Sequence, residues 1–138
     1  MMISTKGRYA LRVMIDLAEH HSGEYIPMKD IVKRQQVSQK YMERIMTMLS
    51  KAGFVEAVHG KGGGYRINRS PDEYIVGDIL RLTEGSLAPV ACLECDAAKC
   101  ERADRCRTLP MWQALNEKIT DFFDGITVAD LMKKDMEI

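Results

Sequence analysis

Apolar residues follow helical spacing over most of this chain and strand-like alternation over one short stretch, and polar residues mark where each element starts and stops. From Thr5 to His20, Tyr9, Ala10, Val13, Met14, Leu17 and Ala18 form one helical stripe, with Arg8, Arg12, Asp16 and Glu19 outward. His20 and His21 fall at its end, where a positive charge suits the helix dipole better than a ligand role. Met28, Ile31 and Val32 predict a second, shorter helix whose other face carries Lys29, Lys33 and Arg34. In a third helix, Ser38 stands where an N-cap is wanted and Gly53 where a left-handed stop is wanted. Between them Tyr41, Ile45, Met48, Leu49 and Ala52 make the apolar stripe, and Lys40, Glu43, Arg44, Thr47 and Lys51 share the outward face. Phe54 to Val58 is strand-like, His59 to Gly64 is a glycine-rich turn, and Tyr65 to Ile67 returns as a second strand.

Ile75 to Glu84 predicts a further helix closed by Gly85, and periodicity is then lost from Ser86 to Thr108. Compact domains seldom tolerate so long a loop unless something holds it. Beyond it, Trp112, Leu115, Ile119, Phe122 and Phe123 lie on one stripe of a long helix ending at Gly125. Thr127 and Asp130 predict a capping box for a last short helix through Lys133. The long helix is more apolar than a small domain can cover, so it is expected to pair with its copy in a homodimer; burial within the same chain is the plainer alternative.

The fold class is therefore mainly α with a small β-hairpin, and the order of elements points to DNA. Only Gln35, Gln36 and Val37 separate the second and third helices, a spacing that suggests a helix-turn-helix, and the hairpin after them is placed as a wing. A charged helix face by itself is usually just solvated; the neighbouring turn and wing are what shift the balance. Candidate contacts are Ser38, Gln39, Lys40, Tyr41, Glu43 and Arg44 on the third helix, with Lys29 before it and Lys6 and Arg8 near the start. On the wing, Gly60, Gly62 and Gly63 permit a tight tip, and Lys61, flanked by His59 and Arg66, can reach phosphates or a narrow minor groove. A P-loop needs Lys-Ser or Lys-Thr after its last glycine, and a dinucleotide fingerprint needs a glycine where Tyr65 stands; both are excluded.

With 138 residues and 46% hydrophobic composition, the chain can build one domain with an appendage. Its zero net charge is unevenly spread: residues 1 to 69 hold 12 Lys and Arg against 6 Asp and Glu, and the rest hold 8 against 14. The basic half contains the proposed reading helix and wing. Met1 to Ser4 is too short and polar for a signal peptide, and no apolar run approaches the roughly 20 residues of a membrane helix, so a cytoplasmic protein is expected.

Cys92, Cys95, Cys100 and Cys106, spaced C-x2-C-x4-C-x5-C, all fall in the aperiodic loop. Thiols gathered there argue against structural disulfides and for a soft metal centre, which would supply the order the loop lacks. Iron-sulfur clusters and zinc both fit, and the spacing alone does not choose between them. A zinc ribbon would show two separated C-x2-C pairs, and only one is present. Lys99, Arg102, Arg105 and Arg107 surround the thiols and would also suit a redox-switching dithiol. No motif places a His and a carboxylate beside a cysteine, so an enzyme is not expected.

Taken together, ISTKGRYAL, SQKYMERIM, HGKGGGYRI, VGDILRLTEG, the cysteine loop and ITVADL resemble the Rrf2 family of bacterial winged-helix transcription regulators over nearly the whole chain. The resemblance implies a winged helix-turn-helix at 1–85, a cluster-binding loop at 86–108 and a dimerisation helix with a short terminal helix at 109–138. The expected function is that of a homodimer on a palindromic double-stranded DNA operator, a repressor rather than an activator; one branch of the family acts with a partner enzyme, and a metal-binding protein whose basic face binds and regulates an enzyme is the alternative of another class. The family's iron-sulfur members use three loop cysteines, matched by Cys92, Cys100 and Cys106. One subgroup completes the set with a histidine where Leu109 stands here, another with an aspartate where Arg8 stands. Cys95 is additional and is the fourth candidate, with Glu94, Asp96, Glu101 and Asp104 as other donors. The expected cofactor is an iron-sulfur cluster, two-iron two-sulfide ahead of four-iron, with zinc as the alternative. The wing commonly carries arginine where His59 stands; the histidine is expected to weaken that minor-groove contact and to make it pH-sensitive.

Overall fold

The computed structural model describes residues 2–94 and 97–135. Its centre is helix α1 (Thr5–Glu19), started by Ser4, whose Oγ accepts from the Gly7 amide at 3.1 Å. Ala10, Val13, Met14 and Leu17 are fully buried against helices α2 (Met28–Gln35) and α3 (Gln39–Lys51), and each large side chain so removed from water contributes roughly 1.5–3 kcal/mol. Asp16, expected outward, is also buried at 3% exposure. It stays inside because Arg34 donates to both carboxylate oxygens at 2.9 and 2.7 Å and Gln35 donates to one at 2.8 Å.

Helix α3 begins where expected, with Ser38 Oγ accepting from the Tyr41 amide at 3.2 Å, and Gly53 follows it at φ 80°. Its buried stripe is a correction. Met42, Ile45, Met46 and Leu49 face the core, while Tyr41 and Met48 are half-buried and Ala52 is exposed. Apolar residues cover nearly half the helix circumference, wider than the face α1 covers, so spacing alone allows two overlapping stripes; packing on α1 chose the one centred on Ile45 and Met46.

Strands β1 (Val55–Val58) and β2 (Gly64–Ile67) pair antiparallel with Val55 opposite Ile67 and Val58 opposite Gly64. Val55 and Ile67 point to the core, which sets the register, and the turn between the strands projects outward as a wing. The hairpin is anchored to the segment before α2 by two hydrogen bonds between Ile26 and Tyr65, at 2.8 and 2.9 Å. Buried Tyr74 closes its base, donating to the Phe54 carbonyl at 2.7 Å.

Helix α4 (Val76–Glu84) packs on α1 through Gly7, and a smaller core of Val76, Leu80 and Leu87 receives Ile119 and Phe123 from helix α5 (Leu109–Asp124). None of the α5 residues is buried, and Met111, Leu115 and Phe122 are exposed. The expected capping box is present at helix α6 (Val128–Leu131), which is shorter than predicted: it ends at Leu131, with Met132 as its C-cap, and does not run through Lys133. Among the described residues of 86–108 there are two short 3-10 turns, Ala91–Leu93 and Ala103–Arg105. Among the described residues, no helix is long and apolar enough to cross a membrane.

Candidate nucleic-acid interface and thiol loop

Gln39, Lys40, Glu43, Arg44, Thr47 and Lys51 stand exposed along α3. Gln39 Nε2 donates to Glu43 Oε1 at 3.2 Å, so the two side chains one turn apart restrain each other. A concavity of about 480 Å³ separates this face from the wing; Gln39, Glu43 and Thr47 line one side, and Val58, His59, Gly60 and Gly63 the other. Lys61 and Gly62 extend the tip into solvent, and Lys29 is exposed on α2. A second hollow, about 820 Å³, runs along α3 beside Lys40, Arg44 and Lys51 and is floored by Met48, Ala52 and Leu82. A charged helix face and a basic hairpin tip flanking one groove are complementary to a duplex backbone with its base edges between.

The other predicted contacts divide. Lys6 and Arg8 are exposed near the start of α1, where Arg8 Nη2 donates to Thr5 Oγ1 at 3.2 Å. The Ser38 hydroxyl already serves as the cap of α3. Tyr41 is half-buried, its ring edge-on to Tyr9 at 5.9 Å. Arg66 corrects the expectation that it flanks the tip. Its guanidinium donates to Glu56 at 2.8 Å and to the Gly23 carbonyl at 2.6 Å and lies over the Tyr25 ring, in a hollow on the other side of the hairpin. Strand alternation explains this, and the same alternation turns Tyr65 toward α3, where it floors the groove. Sequence reading did not single out Tyr65, although the period of two contained that signal. Partial burial, and then the nearby Glu43 charge, raise the Tyr65 pKa, keeping its hydroxyl protonated.

In the loop, Cys92 and Cys100 are exposed and Cys106 is half-buried, all as free thiols. Cys95 and Asp96 lie outside the described residues. Cys106 Sγ is 3.5 Å from Thr108 Oγ1. That hydroxyl first, then the Thr108 and Leu109 amides and the Arg102 charge, push the Cys106 thiol below its ordinary pKa and favour the thiolate. Among the described residues, no three Cys, His, Asp or Glu side chains are gathered tightly enough to hold a metal ion. The donor chemistry nonetheless fits a thiolate-bound group: Cys92, Cys100 and Cys106 are free thiols, and two of the three are exposed.

Residues 3–134 match the Rrf2 family, described as iron-dependent transcriptional regulators. The chain belongs to the Rrf2 family. This Rrf2 protein is 38% identical over 132 residues to the HTH-type transcriptional regulator IscR of Aliivibrio salmonicida, an alignment covering 96% of this chain and 77% of that one. Among solved structures, it resembles CymR, the global cysteine regulator of B. subtilis, at 34% identity and a TM-score of 0.75, with 96% of both chains covered. It also resembles T. potens IscR at 33% identity and a TM-score of 0.70, covering 96% of this chain and 86% of that one. The Rrf2 chain is accordingly a winged-helix transcriptional regulator and not an enzyme. Leu109, which opens α5, and exposed Arg8 bring no metal-binding side chain to the two positions where the sequence resemblance implied a fourth ligand.

Proposed function

We propose that this protein is a cytoplasmic, homodimeric, sequence-specific repressor whose grip on a palindromic operator is set by an iron-sulfur cluster at Cys92, Cys95, Cys100 and Cys106. The observation that carries the reading is the junction at Thr108. The thiol loop ends there, Cys106 is hydrogen-bonded to it, and α5 with its exposed apolar side chains starts at the next residue. Residues 1–85 read DNA, 86–108 sense, and 109–138 pair the two copies.

In a dimer joined through α5, two copies of α3 enter successive major grooves about 34 Å apart. Arg44 offers a two-pronged donor for guanine, Glu43 accepts from cytosine or rejects a wrong base, and Lys61 neutralises phosphate at the wing tip. When bound, the cluster supplies an oxidant-sensitive link among the four thiolates. Cys106 holds the start of α5 to the loop, so a change at the thiols alters how α5 is anchored and shifts the spacing of the two reading heads. A thiol-based switch is the second reading, favoured by the lowered Cys106 pKa; zinc is the alternative metal.

The test is the visible spectrum and the iron, acid-labile sulfide and zinc content of protein purified without oxygen. Coloured protein with iron and sulfide, losing both colour and operator affinity control in Cys106→Ser, is the expected result. Colourless protein holding zinc, or no metal after reconstitution, overturns the cluster and leaves a zinc site or the thiol switch.

A further inference from the structure

Gln35 is the last residue of α2, and its carbonyl is one of those with no partner inside the helix. Arg12 reaches it from α1: Nη2 donates to the Gln35 carbonyl at 2.7 Å and Nε donates to Gln35 Oε1 at 3.0 Å. The other end of that amide donates to buried Asp16, which Arg34 also grips. The amide orientation is thus fixed from both sides, and a cation sits at the negative end of the α2 dipole.

The next residue, Gln36, has φ 55°, the one positive value at a non-glycine among the described residues. A left-handed conformation at a non-glycine residue is strained and persists only if its surroundings enforce it. Two residues later Ser38 caps α3. On its other side the Arg12 guanidinium lies 4.5 Å over the Tyr9 ring, and Tyr9 meets Tyr41, in the first turn of α3, edge-on at 5.9 Å. One side chain therefore touches the end of α2 and, through Tyr9, the beginning of α3.

We propose that Arg12 is a positioning residue for DNA recognition: from α1 it clamps the helix-turn-helix turn, through Gln35 on one side and Tyr9 with Tyr41 on the other, without contacting DNA itself. The inference rests on the DNA-reading function proposed above. Lysine keeps the charge of Arg12 but lacks the planar fork that bonds two oxygens while stacking on a ring. A clamp and a direct phosphate contact therefore respond oppositely to the same substitutions.

The experiment uses the full chain and a duplex palindrome that the wild-type protein selects from a random-sequence pool. Affinity for it and for an unrelated duplex is measured across a salt series for wild type, Arg12→Lys, Arg12→Ala and Gln35→Ala. Arg12→Lys and Arg12→Ala are expected to weaken binding to the palindrome equally, by about tenfold. Binding to the unrelated duplex and the salt slope should stay at wild-type values, and adding Gln35→Ala to Arg12→Ala should weaken binding by less than the two single effects combined. Circular dichroism and Tm report whether the fold persists, which an exposed site predicts. A salt slope shallower by roughly 0.9 in Arg12→Ala, with affinity retained in Arg12→Lys, would show a phosphate contact and overturn the clamp. Unchanged affinity in every variant overturns it as well. If the wild type selects no sequence, the DNA-reading function and the inference fall together.

Discussion

Removing the Asp16 carboxylate leaves Arg34 and Gln35 with donors aimed at nothing. Loss of one partner from a buried pair costs 3–5 kcal/mol, and because the Arg34 side chain is 32% exposed, water recovers part of that. Asp16→Ala should therefore lower unfolding stability by about 2–3 kcal/mol in urea denaturation; a loss under about 1 kcal/mol would mean that solvent replaces the bonds. At the groove, Glu43 is an exposed negative charge among cations, restrained by Gln39. Glu43→Ala should tighten binding to unrelated duplexes and shrink discrimination at one base position by about 1–3 kcal/mol, read by competition against single-base operator variants. Unaltered discrimination would remove Glu43 from the reading set.

Each element depends on a few such residues. Gly64 begins β2 at φ 152°, and a Cβ there would collide with the Ile26 carbonyl that anchors the hairpin. Gly64→Ala is expected to loosen the wing while sparing the helical core. Amide exchange should quicken at Tyr65 and its neighbours but not in α1. At α6, Asp130 accepts from the Thr127 amide and, helped by the Thr127 hydroxyl and Lys133, its carboxyl is held below the usual range. A depressed folded pKa means that the cap stabilises fully above the ordinary carboxylate pKa and loses that contribution as pH falls through the folded value. Asp130→Asn should flatten this acid-side decline in a Tm-versus-pH series, and an unaltered profile would show that other carboxylates dominate it. The capping box and the N-cap at Ser38 were legible in sequence because they are local, set by residues a few positions apart. Which stripe of α3 is buried was not, because Met42 and Met46 compete with Met48 and Ala52 for a surface that α1 supplies.

For the whole molecule, two features call for partners: a basic first half of the chain followed by an acidic second half, and an α5 whose Leu115 and Phe122 face solvent. If a second copy covers α5, Leu115→Glu with Phe122→Glu should shift sedimentation from dimer to monomer and reduce operator affinity by more than tenfold, since two linked half-sites bind far more tightly than one. A variant that remains dimeric would place the interface elsewhere. Sequence by itself determined the order of helices, the hairpin, the caps and the clustering of thiols, because periodicity, capping chemistry and turn residues act over a few positions. Tertiary structure alone decided that Asp16 is inside, that the Arg66 guanidinium meets the Gly23 carbonyl 43 positions away, and that Arg12 meets Gln35 across 23 positions. Each of those outcomes depends on a partner distant in the chain, and a charged side chain is buried or exposed according to whether that partner arrives.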